Sequence, residues 1–124
     1  MRWRPWLLGR QAERHAERFL TRQGLRVLAR NYRSRWGEID LVLQDRDTLV
    51  FTEVRYRRHD RFGSPIATVT GDKQRRLRKT ALDFIRTHPA QAGAAMRFDV
   101  IGITPGSPNN PAVVIDWIQA AFEA

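Results

Sequence analysis

The sequence predicts an α/β sandwich in which a mixed β-sheet is flanked by helices. Apolar residues recur at helical spacing in two segments, and between and after these segments they recur at strand spacing. The predicted order is a helix, three antiparallel strands, a second helix and a further strand. A chain of 124 residues is long enough for one packed core. We therefore expect a single domain over residues 1–124, with residues 1–8 as a candidate flexible segment.

The first half of the chain is predicted to hold one helix and three strands. The helix runs from about Gly9 to Gln23, and the first strand covers Leu25–Tyr32. A second strand begins at Glu38, and a polar hairpin at 44–47 leads into the strand that contains Glu53. Because strand side chains alternate between faces, one face of the second strand should hold Glu38, Asp40 and Val42, and the other Ile39, Leu41 and Leu43.

The second half begins with an irregular segment, Arg57–Val69, that is rich in charge, Gly and Pro and is a candidate substrate loop. Thr70 is expected to cap a helix over Gly71–His88. A strand over Met96–Ile103 follows. Residues 112–117 predict a short final strand or the start of a helix.

The charge balance favours a polyanionic partner. The chain has 22 basic and 13 acidic residues and a net charge of +9. Twenty of the basic residues are Arg, which binds phosphate through two parallel hydrogen bonds, although coding bias also explains such a skew. There is no cysteine, so disulfides, thiolate metal sites and Cys nucleophiles are excluded. No apolar run is long enough for a membrane helix or a convincing signal peptide, and a cytoplasmic location is expected.

Two acidic residues in neighbouring strands form the candidate centre. If the strands pair, the carboxylates of Asp40 and Glu53 converge, and Arg55 lies beside them. Two carboxylates and a cation at a sheet surface are the basic layout for a hard divalent metal that acts on phosphate. Two other acids have plainer interpretations. Glu38 either touches the metal through water or pairs with an Arg, and Asp99 is expected to be a buried partner for an Arg or a backbone group.

Several motifs follow one another along almost the whole chain. They are the helix Gly9–Leu20, Asn31-Tyr32-Arg33, Gly37–Leu41, Phe51–Arg57, Phe62-Gly63, Lys73 with its basic helix, and Arg97–Val100. In this combination the chain resembles the uncharacterised YraN-like bacterial family, which is itself similar to the PD-(D/E)XK, or restriction-endonuclease-like, nuclease superfamily. The resemblance implies a three-layer sandwich and a magnesium-dependent endonuclease.

The resemblance also implies roles for individual residues. Asp40 and Glu53 match the two metal carboxylates, and the carbonyl of Val54 is a further ligand for Mg²⁺ or Mn²⁺. Glu13 matches a helical glutamate that helps to organise the metal site, and the alternative is a solvated helix charge. Arg55 departs from the pattern, which expects Lys. Arg keeps the positive charge but cannot cycle a proton at neutral pH.

The second helix offers a compensating lysine and a binding surface. Lys73 is expected at the sheet-facing side of the helix N-terminus, where it could contact the scissile phosphate. The cluster of basic residues along this helix predicts a nucleic-acid-binding surface, with DNA as the expected partner. The alternative is that these residues form an ordinary solvated face of the helix. Cleavage of both strands would usually require two active sites, which leaves a homodimer open. A second hypothesis is a nucleic-acid-binding module whose catalysis has decayed. The predicted surface consists of Lys73, Gln74, Arg75, Arg76, Arg78 and Lys79.

Overall fold

The computed structural model describes residues 5–57, 64–106, 109 and 112–124, with side chains from residue 9 onward. Two α-helices and five strands form the framework. Two short 3₁₀ helices cover Pro65–Thr68 and Pro89–Gln91. In chain order the main elements are α1 Pro5–Arg22, β1 Arg26–Ser34, β2 Gly37–Asp45, β3 Thr48–Tyr56, α2 Gly71–Thr87, β4 Ala95–Thr104 and β5 Val114–Phe122.

The five strands form one mixed sheet in the order β1-β2-β3-β4-β5. All neighbours are antiparallel except β3 and β4, which are parallel. A parallel pair needs a crossover connection, and α2 supplies it. The expected α/β class with a mixed sheet is therefore confirmed.

The helices cover opposite faces of the sheet and create two cores. Ala12, Ala16 and Leu20 of α1 pack against one face, which includes Leu41 and Leu43. On the other face, α2 buries its own apolar stripe against strand residues that include Phe51 and Phe98. That stripe consists of Leu77, Ala81 and Phe84. Burial of these stripes holds the three layers together and fixes which helix edge faces each strand.

Several element boundaries differ from the expected ones. Helix α1 begins at Pro5 rather than Gly9, which is compatible with proline in the first turn of a helix. Thr70 caps α2 as expected, because its side chain accepts a hydrogen bond from the backbone N–H of Lys73 (3.2 Å). The last element is a strand that continues to Phe122. Of the expected substrate loop, residues 58–63 lie outside the described residues. No helix in the described ranges has the length and apolar character needed to cross a membrane.

The expected alternation of side chains is confirmed for Leu41, Val42 and Leu43 of β2 but is wrong for Ile39. Ile39 joins Val42 in the core under α2, whereas Leu41 and Leu43 belong to the core under α1. The alternation therefore breaks between Ile39 and Leu41, at Asp40. A break of this kind re-aims a strand side chain, and it places a carboxylate where regular pairing would have placed a backbone group.

Candidate active site

The candidate site lies where β2 and β3 part. Their ladder ends at the pair Leu41–Thr52, and before this point β2 continues beside β1. Beyond this point the Asp40 carboxylate replaces a backbone acceptor of the ladder, because its Oδ2 accepts a hydrogen bond of 2.8 Å from the backbone N–H of Val54. A side chain thus satisfies a backbone donor that a neighbouring strand would otherwise have paired.

This position makes Asp40 an unusual acid. Burial is the main cause that raises the pKa of Asp40 to about 9, followed by its hydrogen bond with Glu53 and the negative charge of Glu53. The bond from Val54 opposes the shift, and the charge of Glu13 adds to it. Two adjacent carboxyl groups that share a low-dielectric site cannot both ionise easily. Near neutral pH Asp40 therefore retains its proton unless a further positive charge binds beside it.

Two cations approach the second acid of the pair. The side chain of Glu53 is only 6% exposed, and its Oε2 lies 3.2 Å from Lys73 Nζ and 3.8 Å from Arg55 Nη2. These are ion-pair distances without hydrogen-bond geometry, so Oε2 accepts no hydrogen bond from the residues the structure describes. The two cations compensate part of the charge of this oxygen, and its unused hydrogen-bonding capacity is available to water, an ion or a substrate.

The oxygen atoms at this site fit a hard divalent cation. Because the N–H and C=O of a strand residue point to the same side, the Val54 carbonyl is directed to the side on which its N–H meets Asp40. Asp40, Glu53 and this carbonyl together offer the oxygen ligands that Mg²⁺ or Mn²⁺ prefers. The described part of the chain has no cluster of three or more His, Cys, Asp or Glu side chains that could hold a metal. Any ion here would rely on two carboxylates, the backbone and water.

Asn31, which is not among the residues predicted for the site, holds Glu13 at a position from which its charge acts on Asp40. Asn31 Nδ2 donates a hydrogen bond of 3.1 Å to Glu13 Oε2. Asn31 has a φ of 50°, a conformation that Asn tolerates better than most residues. The only sign in the sequence that Asn31 belongs to the site is its place in the Asn31-Tyr32-Arg33 motif. Glu13 lines a groove of about 410 Å³ that also contains Arg10, Arg14, Arg18 and Arg30.

The predicted nucleic-acid residues of α2 divide into two groups. Gln74 donates to the carbonyl of Val69, and Arg78 donates to the carbonyl of Glu123, so both are used within the fold. Arg75 forms an ion pair with Asp72 but remains two-thirds exposed. Lys73 points to Glu53. The exposed group that remains along the outer face of the helix consists of Arg75, Arg76 and Lys79.

The two other acids singled out in the sequence, Asp99 and Glu38, have structural partners. Asp99 is fully buried and accepts hydrogen bonds from Arg97 Nε (3.0 Å), Trp117 Nε1 (2.9 Å) and the backbone N–H of Ala120 (3.0 Å). The interpretation of Asp99 as a buried partner is therefore confirmed. Glu38 lies 3.7 Å from Arg33, which agrees with the pairing alternative. Neither acid belongs to the candidate site.

Comparison with known proteins identifies the family. A model of the uncharacterised protein family UPF0102 matches residues 12–103. A UPF0102 protein of Alcanivorax borkumensis is 49% identical over 114 residues, which cover 92% of this chain and 90% of the relative. A UPF0102 protein of Coxiella burnetii is 46% identical, and the match covers 94% of this chain and 92% of the relative. A UPF0102 protein of Pseudomonas entomophila is 44% identical, and the match covers 96% of this chain and 95% of the relative. The matched region contains the acid pair, Arg55 and Lys73. This chain therefore belongs to the uncharacterised family UPF0102.

Proposed function

We propose that this protein is a metal-dependent nuclease that hydrolyses phosphodiester bonds of DNA. The observation that carries the proposal is the contact between two acids, the partly buried Asp40, whose pKa is raised to about 9, and the buried Glu53, whose Oε2 lies 3.2 Å from Lys73 Nζ. An acid pair that destabilises its own ionised form is a poor structural element. It becomes favourable when a divalent cation binds there.

The residues of the site would have different roles in hydrolysis. Asp40, Glu53 and the Val54 carbonyl would hold Mg²⁺ or Mn²⁺, which when bound lowers the pKa of water and polarises phosphate. Lys73 and Arg55 then contact the non-bridging oxygens and stabilise the charge that develops on them. Exposed basic residues of α2 bind the DNA backbone next to the cut, as the net charge of +9 favours.

Cleavage assays with a variant of the second carboxylate test the proposal. We expect wild-type protein to cut one or more of linear duplex, single-stranded, flap and junction DNA in Mg²⁺ or Mn²⁺ and none in EDTA. Glu53→Gln should cut at least about a hundredfold more slowly, because it loses a charged metal ligand but keeps its shape. Metal-independent cutting, or full activity of Glu53→Gln, would contradict the proposal.

A second candidate function rests on Arg55. A lysine at this place could exchange a proton with the attacking water, and an arginine cannot. If that exchange is essential, the protein is a DNA-binding module without catalysis on the same fold. It would bind DNA as tightly in EDTA as in Mg²⁺ and would cut none of the four substrates.

Lys73 distinguishes these functions. In the nuclease we expect Lys73→Ala to lower the turnover rate about a hundredfold, because the cation nearest to Glu53 is lost. The matched control is Arg22→Ala, which removes an exposed charge from the last turn of α1 and should change turnover less than twofold. Single-turnover cleavage at saturating protein measures both. Equal rates for Lys73→Ala and Arg22→Ala would exclude a catalytic role for Lys73.

A further inference from the structure

A surface on the outer side of α2 is occupied by an aromatic residue and several cations. In the turn between β1 and β2, the guanidinium of Arg35 stacks over the indole of Trp36 at 4.3 Å from the ring centroid. Leu82 of α2, which is 61% exposed, lies across a shallow groove from this pair. The groove has a volume of about 440 Å³ and is lined by Arg35, Trp36, Lys79, Leu82, Asp83 and Arg86.

The charge of this groove is positive despite its one acid. Asp83 accepts hydrogen bonds from the hydroxyl of Tyr32 (2.6 Å) and from Arg86 (2.7 Å). The Tyr32 bond is the main cause that lowers the pKa of Asp83, so this carboxylate stays ionised and engaged. Neither Arg35 nor Lys79 forms a salt bridge with an acid among the described residues, although Arg35 is close enough to help lower the pKa of Asp83. A positive groove with an indole and an apolar side chain suits a flat, apolar group attached to an anion.

The groove is connected to the candidate site by the helix itself. Lys73, beside Glu53, lies at the start of α2, and Lys79 follows about 9 Å further along the axis at 1.5 Å per residue. Arg86 lies about 20 Å from Lys73 by the same rule. Arg75 and Arg76 occupy the interval, and with Lys79 they line a second groove with Asp72. Cations therefore lie at intervals along the helix between Lys73, which faces the sheet, and Arg86, with Lys79 on the exposed side.

We infer that this groove binds an unpaired nucleobase of a single-stranded segment a few nucleotides from the scissile phosphate. Indole faces stack on any base, and neighbouring cations bind the backbone, which is the usual way in which proteins hold single strands. The bases of an intact duplex are already stacked on one another. The inference rests on the proposed function, and it narrows the substrate to DNA with a single-stranded part, such as a flap, an overhang or a free single strand.

Binding in EDTA with Trp36 variants tests the inference without any requirement for cleavage. We expect Trp36→Ala to weaken binding of a single-stranded oligonucleotide and of a flap roughly 5- to 100-fold, and binding of a blunt duplex less than twofold. Trp36→Phe keeps an aromatic face and should lose less than Trp36→Ala. Single-stranded DNA should also quench the fluorescence of wild type more than that of Trp36→Phe, a readout that remains if Trp36→Ala fails to fold.

The outcomes separate this inference from the proposed function. Equal losses on duplex and single strand, or unchanged binding together with equal quenching in wild type and Trp36→Phe, would overturn the base site and leave the nuclease standing. Selective loss of single-strand binding in Trp36→Ala, in a wild-type protein that cuts no DNA, would support the base site and overturn the nuclease.

Discussion

Replacing Asp40 by Asn should make the metal-free protein more stable at neutral pH. Asn keeps an oxygen that can accept the hydrogen bond from the N–H of Val54, and it removes a carboxylate that burial and Glu53 make costly to ionise. We expect the free energy of unfolding in EDTA to rise by about 1–3 kcal/mol, because Asn, unlike Asp40, does not have to take up a proton when the protein folds at neutral pH. For a domain of this length that is roughly 3–6 °C in Tm per kcal/mol.

The gain should depend on pH with a definite sign. The pKa of Asp40 is raised in the folded protein, so between its ordinary value of 3.8 and about 9 the folded state binds the proton that the unfolded state has released. Wild-type stability contributed by this group therefore falls as pH rises through that range. Urea unfolding from pH 4 to 9 measures this. The free energies of unfolding of wild type and Asp40→Asn should nearly agree at pH 4, and above pH 4 that of wild type should fall steadily below that of Asp40→Asn.

Metal ions should reverse the order of stability, so that wild type becomes more stable than Asp40→Asn. Mg²⁺ or Mn²⁺ that binds the folded state alone raises the Tm of wild type by mass action, and Asp40→Asn should lose most of this rise together with cleavage. Asp45→Asn is the matched control, because it removes a half-exposed carboxylate from the end of the same strand. A wild-type Tm that is indifferent to both ions, or an Asp40→Asn protein less stable than wild type at pH 8, would contradict the account of the acid pair.

The fold was largely predictable because its main signals are local. The stripes of α1 and α2, the Thr70 cap and the hairpin between β2 and β3 all arise from short-range periodicity and turn chemistry. The sequence left the final element open between strand and helix. Its identity depends on pairing with β4, a contact between residues far from one another along the chain.

The candidate site was predictable only as a set of residues. Regular alternation placed Asp40 on a strand face, whereas the structure uses it at a point where the ladder ends and the alternation breaks. Such a break has no short-range signature in Glu38-Ile39-Asp40, because it depends on how β1, β2 and β3 twist against both cores. The approach of Lys73 to Glu53 likewise depends on how α2 packs on the sheet. The groove at Trp36 required the turn and the helix to be seen together.

Replacing Asp99 by Ala should have the opposite effect to Asp40→Asn and a larger one. The β4–β5 register shifts between Phe98 and Val100, and Asp99 satisfies the backbone N–H of Ala120 at this irregularity. Its carboxylate also binds Arg97 and the indole N–H of Trp117. Ala would leave several partly buried donors without an acceptor, so we expect a loss of about 3–5 kcal/mol in the free energy of unfolding. Thermal and urea unfolding measure it.

The partly buried Asp40 and the fully buried Asp99 form an internal comparison that separates structure from function. Each accepts a bond from a backbone N–H that a break in the sheet releases, but Asp99 also has a guanidinium, whereas Asp40 has another carboxyl group. Asp45→Asn, which removes the other partner of Arg97, should cost less than about 1 kcal/mol because that carboxylate is half-exposed. If Asp99→Ala cost no more than Asp45→Asn, the cation at Asp99 would contribute little. The contrast with Asp40 would then no longer argue that the acid pair awaits a metal.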